Sequence, residues 1–287
     1  MPGQVIQWFP GHMAKTRRLI AECLPDVDIV LELLDARIPA SSRNPEIRRL
    51  LGEKPTLTLL NKCSLAHPGT TAAWVAAAQR EGQVCLPIDC ITGEGLSGIA
   101  GTIRGKLKEK ISRYQAKGME GRRLRAMVVG IPNVGKSSLI NRLAGEKRTK
   151  VEDRPGVTMA RQWISTSIGL SLLDMPGVLW PKFEDRLVGE NLALTGAIRD
   201  QILDVEELAP VLCERLQAIA PGEFALRYKL AEADVRACSP AELFLAVGKK
   251  RGYVVRGGEI DTLRTAQMLL DEFRGGQVGR ISLERPE

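Results

Sequence analysis

Several features that would assign a chain to a common class of protein are absent from this sequence. It contains no run of eighteen apolar residues, so no membrane-spanning helix and no membrane partner are expected. The first residues, MPGQVIQW, have neither the order of a secretory signal nor an arginine-rich presequence. The six cysteines form no C-x-x-C pair, which argues against a zinc site and favours reduced thiols. We therefore expect a cytoplasmic protein.

Histidine is scarce as well, since only His12 and His67 are present. His12 follows a Pro-Gly pair, where a rigid turn can aim a side chain. A lone histidine in a turn is more often an ordinary surface residue than a catalytic one. The local pattern alone therefore leaves both interpretations of His12 open.

The composition that is present is typical of a folded protein with a polyanionic partner. The chain has 287 residues, of which 44% are apolar and 26% charged, enough for a sizeable core and two domains. Residues 1–204 contain 29 basic and 21 acidic residues, whereas residues 205–287 contain 12 and 13. The excess of basic residues in 1–204 suggests a polyanionic partner, although a general solubility charge explains the numbers equally well.

A phosphate-binding loop lies near the middle of the chain. Residues 130–138 read GIPNVGKSS and fit the pattern G-x-x-x-x-G-K-[ST], between the strand-like run AMVV and a helical segment that ends before Gly145. Gly135 lets the backbone approach the phosphates, Lys136 neutralises their charge, and the Ser137 hydroxyl completes the shell of a Mg²⁺ ion. The pattern predicts that a nucleoside triphosphate binds here.

Apolar runs alternate with helical segments before this loop, which predicts a mainly parallel sheet with helices on both faces, the α/β class. The predicted strands are 27–35, 55–60, 84–88, 126–129, and a hairpin of 162–166 with 170–173. The pattern turns helical near Asp185 and stays so, with a capping box at Ser239. We expect three parts: a basic segment 1–25, a nucleotide-binding domain 26–200 and a small all-α domain 205–287.

Three strand ends carry residues that point to guanine and to a metal ion. Residues 61–64, NKCS, resemble the N-K-x-D box of GTPases, whose aspartate accepts hydrogen bonds from guanine N1–H and the 2-amino group. Asp89 and Cys90 follow the next strand and take the place of the S-A pair near guanine O6. Asp174 ends the last strand, a usual position for a Mg²⁺ contact, although a plain turn residue is the alternative.

The order of these stretches is unusual, because the base boxes of Ras-like GTPases follow the phosphate loop, whereas here Lys62 precedes Lys136 by 74 residues. That order is the signature of circularly permuted GTPases. Four stretches, WFPGHM at 8–13, LDARIP at 34–39, GIPNVGKS at 130–137 and DMPGVLWP at 174–181, resemble the bacterial ribosome-biogenesis GTPases of the YlqF/RbgA type. The resemblance covers essentially the whole chain.

The resemblance implies a circularly permuted GTPase domain and a helical C-terminal domain that contacts ribosomal RNA, which suits the cluster of Lys249, Lys250 and Arg251. It implies a GTPase that hydrolyses GTP slowly, is stimulated by the ribosome, and binds the precursor of the large ribosomal subunit in the GTP state. We expect a monomer. Asn133 matches an asparagine that coordinates K⁺ in related GTPases. Val178 occupies the place of the water-positioning glutamine of Ras-like proteins, so the resemblance transfers that role to His12.

The predicted site is therefore composed of catalytic, nucleotide-binding and metal-binding residues. The catalytic residues are His12, Asn133 and Lys136. The nucleotide-binding residues are Asn61, Lys62, Cys63, Ser64, Asp89, Cys90, Asn133, Val134, Gly135, Lys136, Ser137, Ser138, Thr158 and Gly177. The Mg²⁺ ligands are Ser137, Thr158 and Asp174.

The base boxes depart from the family pattern at two positions. Ser64 replaces the aspartate of N-K-x-D, so a neutral acceptor stands where a charged bidentate one is expected. Hydrogen bonds to charged groups contribute about 1.5–3 kcal/mol each, so guanine selectivity is expected to fall by a factor of roughly ten to a few hundred. Asp89 replaces a small polar residue and could supply a compensating carboxylate.

Two other functions compete with a GTPase switch. A nucleotide-dependent RNA-binding module without useful turnover has the same motifs. A P-loop kinase acting on a small molecule lacks a lid-like arginine cluster and leaves Asn61 and Lys62 unexplained.

Overall fold

The computed structural model describes residues 10–145, 163–180, 183 and 185–286, and their side chains from residue 14 onward. Six strands form one sheet in the described part. They are β1 (Ile29–Asp35), β2 (Thr56–Asn61), β3 (Cys85–Pro87), β4 (Leu124–Gly130), β5 (Trp163–Ser165) and β6 (Leu170–Asp174). Each of them overlaps a run that the sequence predicts as a strand, and β2, β4 and β6 extend one or two residues beyond it.

The sheet has the order β3-β2-β1-β4-β6-β5. The first five strands in this order run parallel, with Leu33 of β1 opposite both Leu59 of β2 and Gly130 of β4. Only β5 is antiparallel, at the edge, where it forms the predicted hairpin with β6. The expected α/β class with a mainly parallel sheet is confirmed, and the carboxyl ends of five strands meet at one edge.

Helices connect and cover the strands. Before β4 they are α1 (Pro10–Cys23), α2 (Pro45–Leu51), α3 (Pro68–Arg80), α4 (Gly98–Lys106) and α5 (Lys108–Ala116), and after it α6 (Lys136–Ala144) and α7 (Arg186–Leu194). Two of them differ from the sequence-based expectation. The alanine-rich run predicts a helix over 74–81, but α3 begins six residues before Trp74, because the His67 side chain caps it by accepting from the amide of Thr70 at 3.2 Å. The sequence also predicts one helix from about Leu96 into the basic stretch 106–125, whereas the structure has two helices, which meet at Leu107.

The core lies on both faces of the sheet. All seven residues of β1 are buried, as expected for a central strand with helices on either side. On one face, Val30 and Met127 pack with Ile20 of α1. On the other face, Leu31 and Val128 belong to an apolar cluster that extends without a break to Phe273 near the end of the chain. The sheet and the C-terminal helices therefore share one core.

The C-terminal part is helical, as predicted. It consists of α8 (Val205–Ile219), α9 (Pro221–Tyr228), α10 (Glu232–Ala237), α11 (Pro240–Lys250) and α12 (Thr262–Arg274). The capping box at Ser239 is present, with Glu242 as its partner. Within the described ranges, no helix is both long enough and apolar enough to cross a membrane. The six cysteines are free thiols.

Candidate functional site

The predicted site residues collect at the carboxyl edge of the sheet. β2 ends at Asn61, β6 ends at Asp174, β3 is followed two residues later by Asp89, and β4 ends at Gly130, the first residue of the phosphate loop. In open α/β sheets this edge is where ligands bind. The fold therefore brings the base boxes, the phosphate loop and Asp174 to one place, although up to 113 positions separate them in the chain.

The phosphate loop opens directly into α6. Gly135 has φ +104° and serves as the N-cap of the helix, and no described side chain caps its first turn. The amides of that turn, including those of Ser137 and Ser138, are therefore available to an anion at the positive end of the helix dipole. A Cβ atom on Gly135 would overlap the Asn61 side-chain amide, so this position requires glycine for conformation and for space.

Lys136 is buried inside this loop. Its Nζ donates to the carbonyl oxygens of Ile131 at 2.8 Å and Gly130 at 3.2 Å. Burial lowers the pKa of this ammonium to about 8, and the negative charge of Asp174 acts against that shift. Gly177 packs so closely that a Cβ atom there would lie 2.5 Å from Nζ. The ammonium is thus held at the phosphate loop, between two carbonyls and the segment that follows β6.

Ser137 and Asp174 are the described residues that fit a Mg²⁺ ion. Both are exposed, one in the first turn of α6 and the other at the end of β6, beside Val128 of β4. Hydroxyl and carboxylate oxygens are the hard ligands that Mg²⁺ takes together with phosphates and water. Although Asp174 as a whole residue is exposed, its carboxyl is partly desolvated, which raises its pKa, and Lys136 opposes the shift. No group of three or more His, Cys, Asp or Glu in the described ranges could hold a metal alone, so the donor set suits an ion shared with phosphates.

Asn61 joins the two halves of the site. Its Nδ2 donates to the carbonyl of Val134 at 2.7 Å, and its Oδ1 accepts from the amide of Cys90 at 3.1 Å. One buried side chain therefore links the phosphate loop to the segment after β3. The next residue, Lys62, has φ +62°, and its Nζ pairs with Asp35 at 3.0 Å.

The remaining base-box residues lie close together. Ser64 Oγ donates to Asp89 Oδ2 at 2.5 Å. Cys63 and Cys90 are buried, and burial raises the pKa of their thiols to about 11 and about 12. Both thiols are therefore protonated at neutral pH, which makes them poor nucleophiles and metal ligands.

Other predicted residues have mixed outcomes. Asn133 has φ +57°, and its Nδ2 donates to the carbonyl of Gly196 at 2.8 Å, which leaves the side-chain oxygen as the atom that could ligate a cation. Val178 is buried in the apolar cluster with Ile20, so its side chain does not orient water. The side chain of His12 and all of Thr158 lie outside the described residues.

Sequence reasoning missed Asp35 and Arg37, a buried ion pair beside the base box. Arg37 is 1% exposed, and its Nη2 and Nε donate to Asp35 at 2.8 and 3.0 Å. With Lys62 on the same carboxylate, the two cations hold the pKa of Asp35 far below its usual range despite burial. Arg37 also donates to the carbonyl of Arg274 at 3.3 Å. A charged pair at the end of an apolar strand, in the LDARIP stretch, was the available signal.

Sequence reasoning also missed the C-terminal tail, defined here as residues 280–284. Arg280 donates to the carbonyls of Cys63 at 2.9 Å and Ala66 at 3.1 Å, and the amide of Ile281 donates to Leu65 at 3.0 Å. Glu284 accepts from the amide of Ala40 at 2.7 Å. The tail therefore lies against the loop that follows Asn61 and Lys62. No local sequence pattern pairs residues about 215 positions apart.

Comparisons with known proteins agree on a ribosome-associated GTPase. The family MMR_HSR1, described as "50S ribosome-binding GTPase", matches residues 125–222. The Ribosome biogenesis GTPase A of Bacillus cereus is 46% identical, covering 99% of this chain and 95% of that protein. The Mitochondrial ribosome-associated GTPase 1 of Mus musculus is 34% identical over 98% of this chain and 90% of its own. The crystal structure of GNP-bound YlqF from T. maritima has a TM-score of 0.66 and 27% identity, over 95% of this chain and 99% of that one.

Proposed function

This chain belongs to the ribosome biogenesis GTPase A (RbgA/YlqF) family and is a GTPase, and we propose that it uses GTP as a switch in assembling the large ribosomal subunit. The observation that carries the proposal is the position of Asn61. Its two hydrogen bonds couple the phosphate loop to the base boxes across a permuted chain order, so base and triphosphate share one site. The similarity to ribosome biogenesis GTPases supplies the ribosomal context.

The chemistry of the switch is phosphoryl transfer to water. In this proposal Lys136 leaves the carbonyls of Gly130 and Ile131 and neutralises the β- and γ-phosphates, while the first-turn amides of α6 hold their oxygens. Ser137 and Asp174, with Thr158, would hold Mg²⁺, which would supply positive charge to the same phosphates. Asn133 would ligate K⁺ through its side-chain oxygen, since its nitrogen is engaged with Gly196.

Water activation falls to His12 in this proposal. Val178 is apolar and buried at the position of the Ras-like glutamine, which supports a residue from elsewhere in the chain. We expect slow intrinsic hydrolysis, which large-subunit particles accelerate by positioning this histidine.

The RNA-binding part is proposed to be the helical region 205–287, with 26–200 as the GTPase domain and 1–25 as the N-terminal segment. Lys249 and Lys250 are exposed at the end of α11 and suit phosphate contacts. Arg251 does not share this role, because it is bound to Glu272 at 2.7 Å and lies over the ring of Tyr228. The basic cluster expected from the sequence is thus reduced to Lys249 and Lys250.

The test measures phosphate release by the full chain with and without large ribosomal subunits, in K⁺ and in Na⁺. We expect stimulation by the particles and by K⁺, and loss of both in Lys136→Ala. Arg48→Ala, an exposed arginine away from the carboxyl edge, is the matched control and should behave like the wild type. Turnover that the particles leave unchanged would contradict the switch.

A second measurement separates the switch from an RNA-binding module without turnover. Large-subunit particles are recovered with the protein in the presence of a non-hydrolysable GTP analogue or of GDP. The switch predicts greater recovery with the analogue, whereas a constitutive binding module gives equal recovery in both states.

A further inference from the structure

The two departures from the family pattern in the base boxes face each other. Ser64 lies in the 3₁₀ turn Cys63–Leu65 after β2, and Asp89 lies two residues after β3. Because β2 and β3 are parallel neighbours, with Leu60 opposite Pro87, their carboxyl ends deliver these side chains to the same place. Ser64 Oγ and Asp89 Oδ2 are 2.5 Å apart. The carboxylate missing at position 64 is therefore present one strand away.

The Asp89 carboxylate is ionised and held in a fixed orientation. Its Oδ1 accepts from the amides of Ile91 at 2.7 Å and Thr92 at 2.9 Å, while Oδ2 accepts from Ser64. Burial raises the pKa of Asp89, but these hydrogen bonds outweigh it and hold the pKa below its ordinary value. A buried carboxylate of this kind is a permanent acceptor.

The segment that carries Asp89 is fixed to the rest of the site. The amide of Cys90 donates to Asn61, and the Cys90 carbonyl accepts from Nε of Arg142 at 2.9 Å. Asn61 in turn contacts the phosphate loop at Val134. Asp89 therefore has a defined position relative to the triphosphate site, as a residue that reads the base must have.

The pair offers the same pattern of acceptors as one carboxylate. The Ser64 hydroxyl donates a hydrogen bond to Asp89 Oδ2 and can still accept through its own lone pairs. Two acceptor oxygens therefore lie next to each other, and one of them belongs to a negatively charged carboxylate. Guanine presents two adjacent donors, N1–H and the 2-amino group. Adenine presents a lone pair at N1 and a C–H at position 2, and would leave both acceptors unpaired.

We propose that Ser64 and Asp89 together form the guanine-reading acceptor of this protein, with Ser64 Oγ and Asp89 Oδ2 receiving guanine N1–H and the 2-amino group. The inference rests on the proposed nucleotide site, and it replaces the expectation that Ser64 relaxes guanine selectivity. Asp89 determines specificity, and Ser64 both positions it and shares the contact.

The test exchanges the carboxylate for an amide in the full chain. In Asp89→Asn, the side-chain oxygen stays on the amides of Ile91 and Thr92, so the nitrogen takes the place of Oδ2 and donates. A donor there suits xanthine, which has a carbonyl at position 2 where guanine has an amine. We expect Asp89→Asn to bind GDP at least about tenfold more weakly than the wild type does, and to bind XDP more tightly than GDP. Each hydrogen bond to the base changes the affinity by roughly a factor of ten.

Dissociation constants for GDP, XDP and ADP, with Mg²⁺ present, measure these preferences. Glu53→Gln is the control, because Glu53 is an exposed carboxylate between α2 and β2, and its nucleotide preferences should equal those of the wild type. The double variant Ser64→Asp with Asp89→Asn returns the carboxylate to its family position and should restore preference for GDP.

Two results would overturn the inference. One is equal affinity of the wild type for GDP and ADP. The other is an Asp89→Asn protein that still binds GDP more tightly than XDP. If Asp89→Asn fails to fold, Ser64→Ala decides, because it leaves the amide contacts of Asp89 intact: unchanged preference for GDP over ADP would refute the pair. Failure of the wild type to bind any of these nucleotides would instead refute the nucleotide site itself.

Discussion

At the scale of single residues, the most consequential property of the site is the environment of Lys136. Its ammonium is buried, its hydrogen bonds go to two uncharged carbonyls, and its pKa falls to about 8. The protein therefore holds a poorly satisfied cation at the phosphate loop, which phosphate oxygens satisfy better. The free-energy cost of burying this ammonium in the free protein is thus offset when the nucleotide binds.

This environment predicts a pH dependence of nucleotide affinity. Phosphates bind the ammonium, so affinity is full below pH 8 and falls up to about tenfold per pH unit above it, because a proton must first be taken up. Without nucleotide the sign is opposite: the lowered pKa makes the unfolded chain bind more protons between pH 8 and 10.5, so stability rises with pH in that window. Titrations of GDP at pH 7, 8 and 9 check the first effect.

Lys136→Arg is the control for that prediction, since a guanidinium stays charged throughout the range. Its GDP affinity, whatever its value at pH 7, should change less between pH 7 and 9 than that of the wild type. Equal slopes in the two proteins would assign the pH effect to another group, such as the base.

A second prediction at this scale concerns Asn61. Asn61→Ala removes both hydrogen bonds between the phosphate loop and the base segment, and leaves the Val134 carbonyl and the Cys90 amide without their partner. Nucleotide affinity should fall by about ten- to a thousandfold. Asn61→Asp keeps the acceptor for the Cys90 amide and loses the donor to the Val134 carbonyl. Its nucleotide affinity, measured by calorimetry, should therefore lie between those of the wild type and Asn61→Ala.

At the scale of elements, β1 does more than form the centre of the sheet. Its last residue, Asp35, holds Lys62 at the end of β2 and Arg37 in the following loop. Arg37 reaches α12 through the carbonyl of Arg274 and stacks 5.6 Å from the centroid of the Phe273 ring. One strand end thus links the base box to the last helix.

That link predicts a large stability effect. Arg37→Met leaves the Asp35 charge buried with one cation fewer, and should lower the free energy of unfolding by about 3–5 kcal/mol. Urea unfolding measures this change. Arg49→Ala, at an exposed position of α2, is the control and should stay within about 0.5 kcal/mol of the wild type.

The elements also show what the sequence could predict. All six strands, the parallel sheet and the phosphate loop follow from local periodicity and glycine placement, which are properties of short windows. The start of α3 was missed because its cap is His67 rather than a residue typical of caps. The Ser64–Asp89 contact was suspected only as a possible compensation, because it depends on strand adjacency that periodicity does not encode.

At the scale of the whole molecule, the C-terminal tail joins the helical part to the base box. Arg280 holds the carbonyls of Cys63 and Ala66, and Glu284 holds the segment after β1. Guanine contacts and tail contacts therefore share one loop. Ligands that share an ordered loop influence each other's affinity reciprocally.

The tail predicts coupling between nucleotide and helices. Arg280→Ala should weaken GDP binding by about three- to thirtyfold through loss of its hydrogen bonds to the base loop. Hydrogen exchange of residues 280–284 should slow when GDP is added to the wild type. Arg285→Ala, an exposed neighbour, should leave both measurements unchanged. Hydrogen-exchange rates in the tail that are the same with and without GDP would contradict the coupling.

The contact between the tail and the base loop also has a consequence for synthesis. The chain is made from its N-terminus, and domains fold as they emerge. The loop with Cys63 and Ala66 is translated early, yet Arg280 is added more than 200 residues later. A nascent chain can thus form the sheet and its phosphate loop long before Arg280 supports the base pocket. Mature nucleotide affinity should be acquired only after Arg280 has emerged from the ribosome that makes the chain.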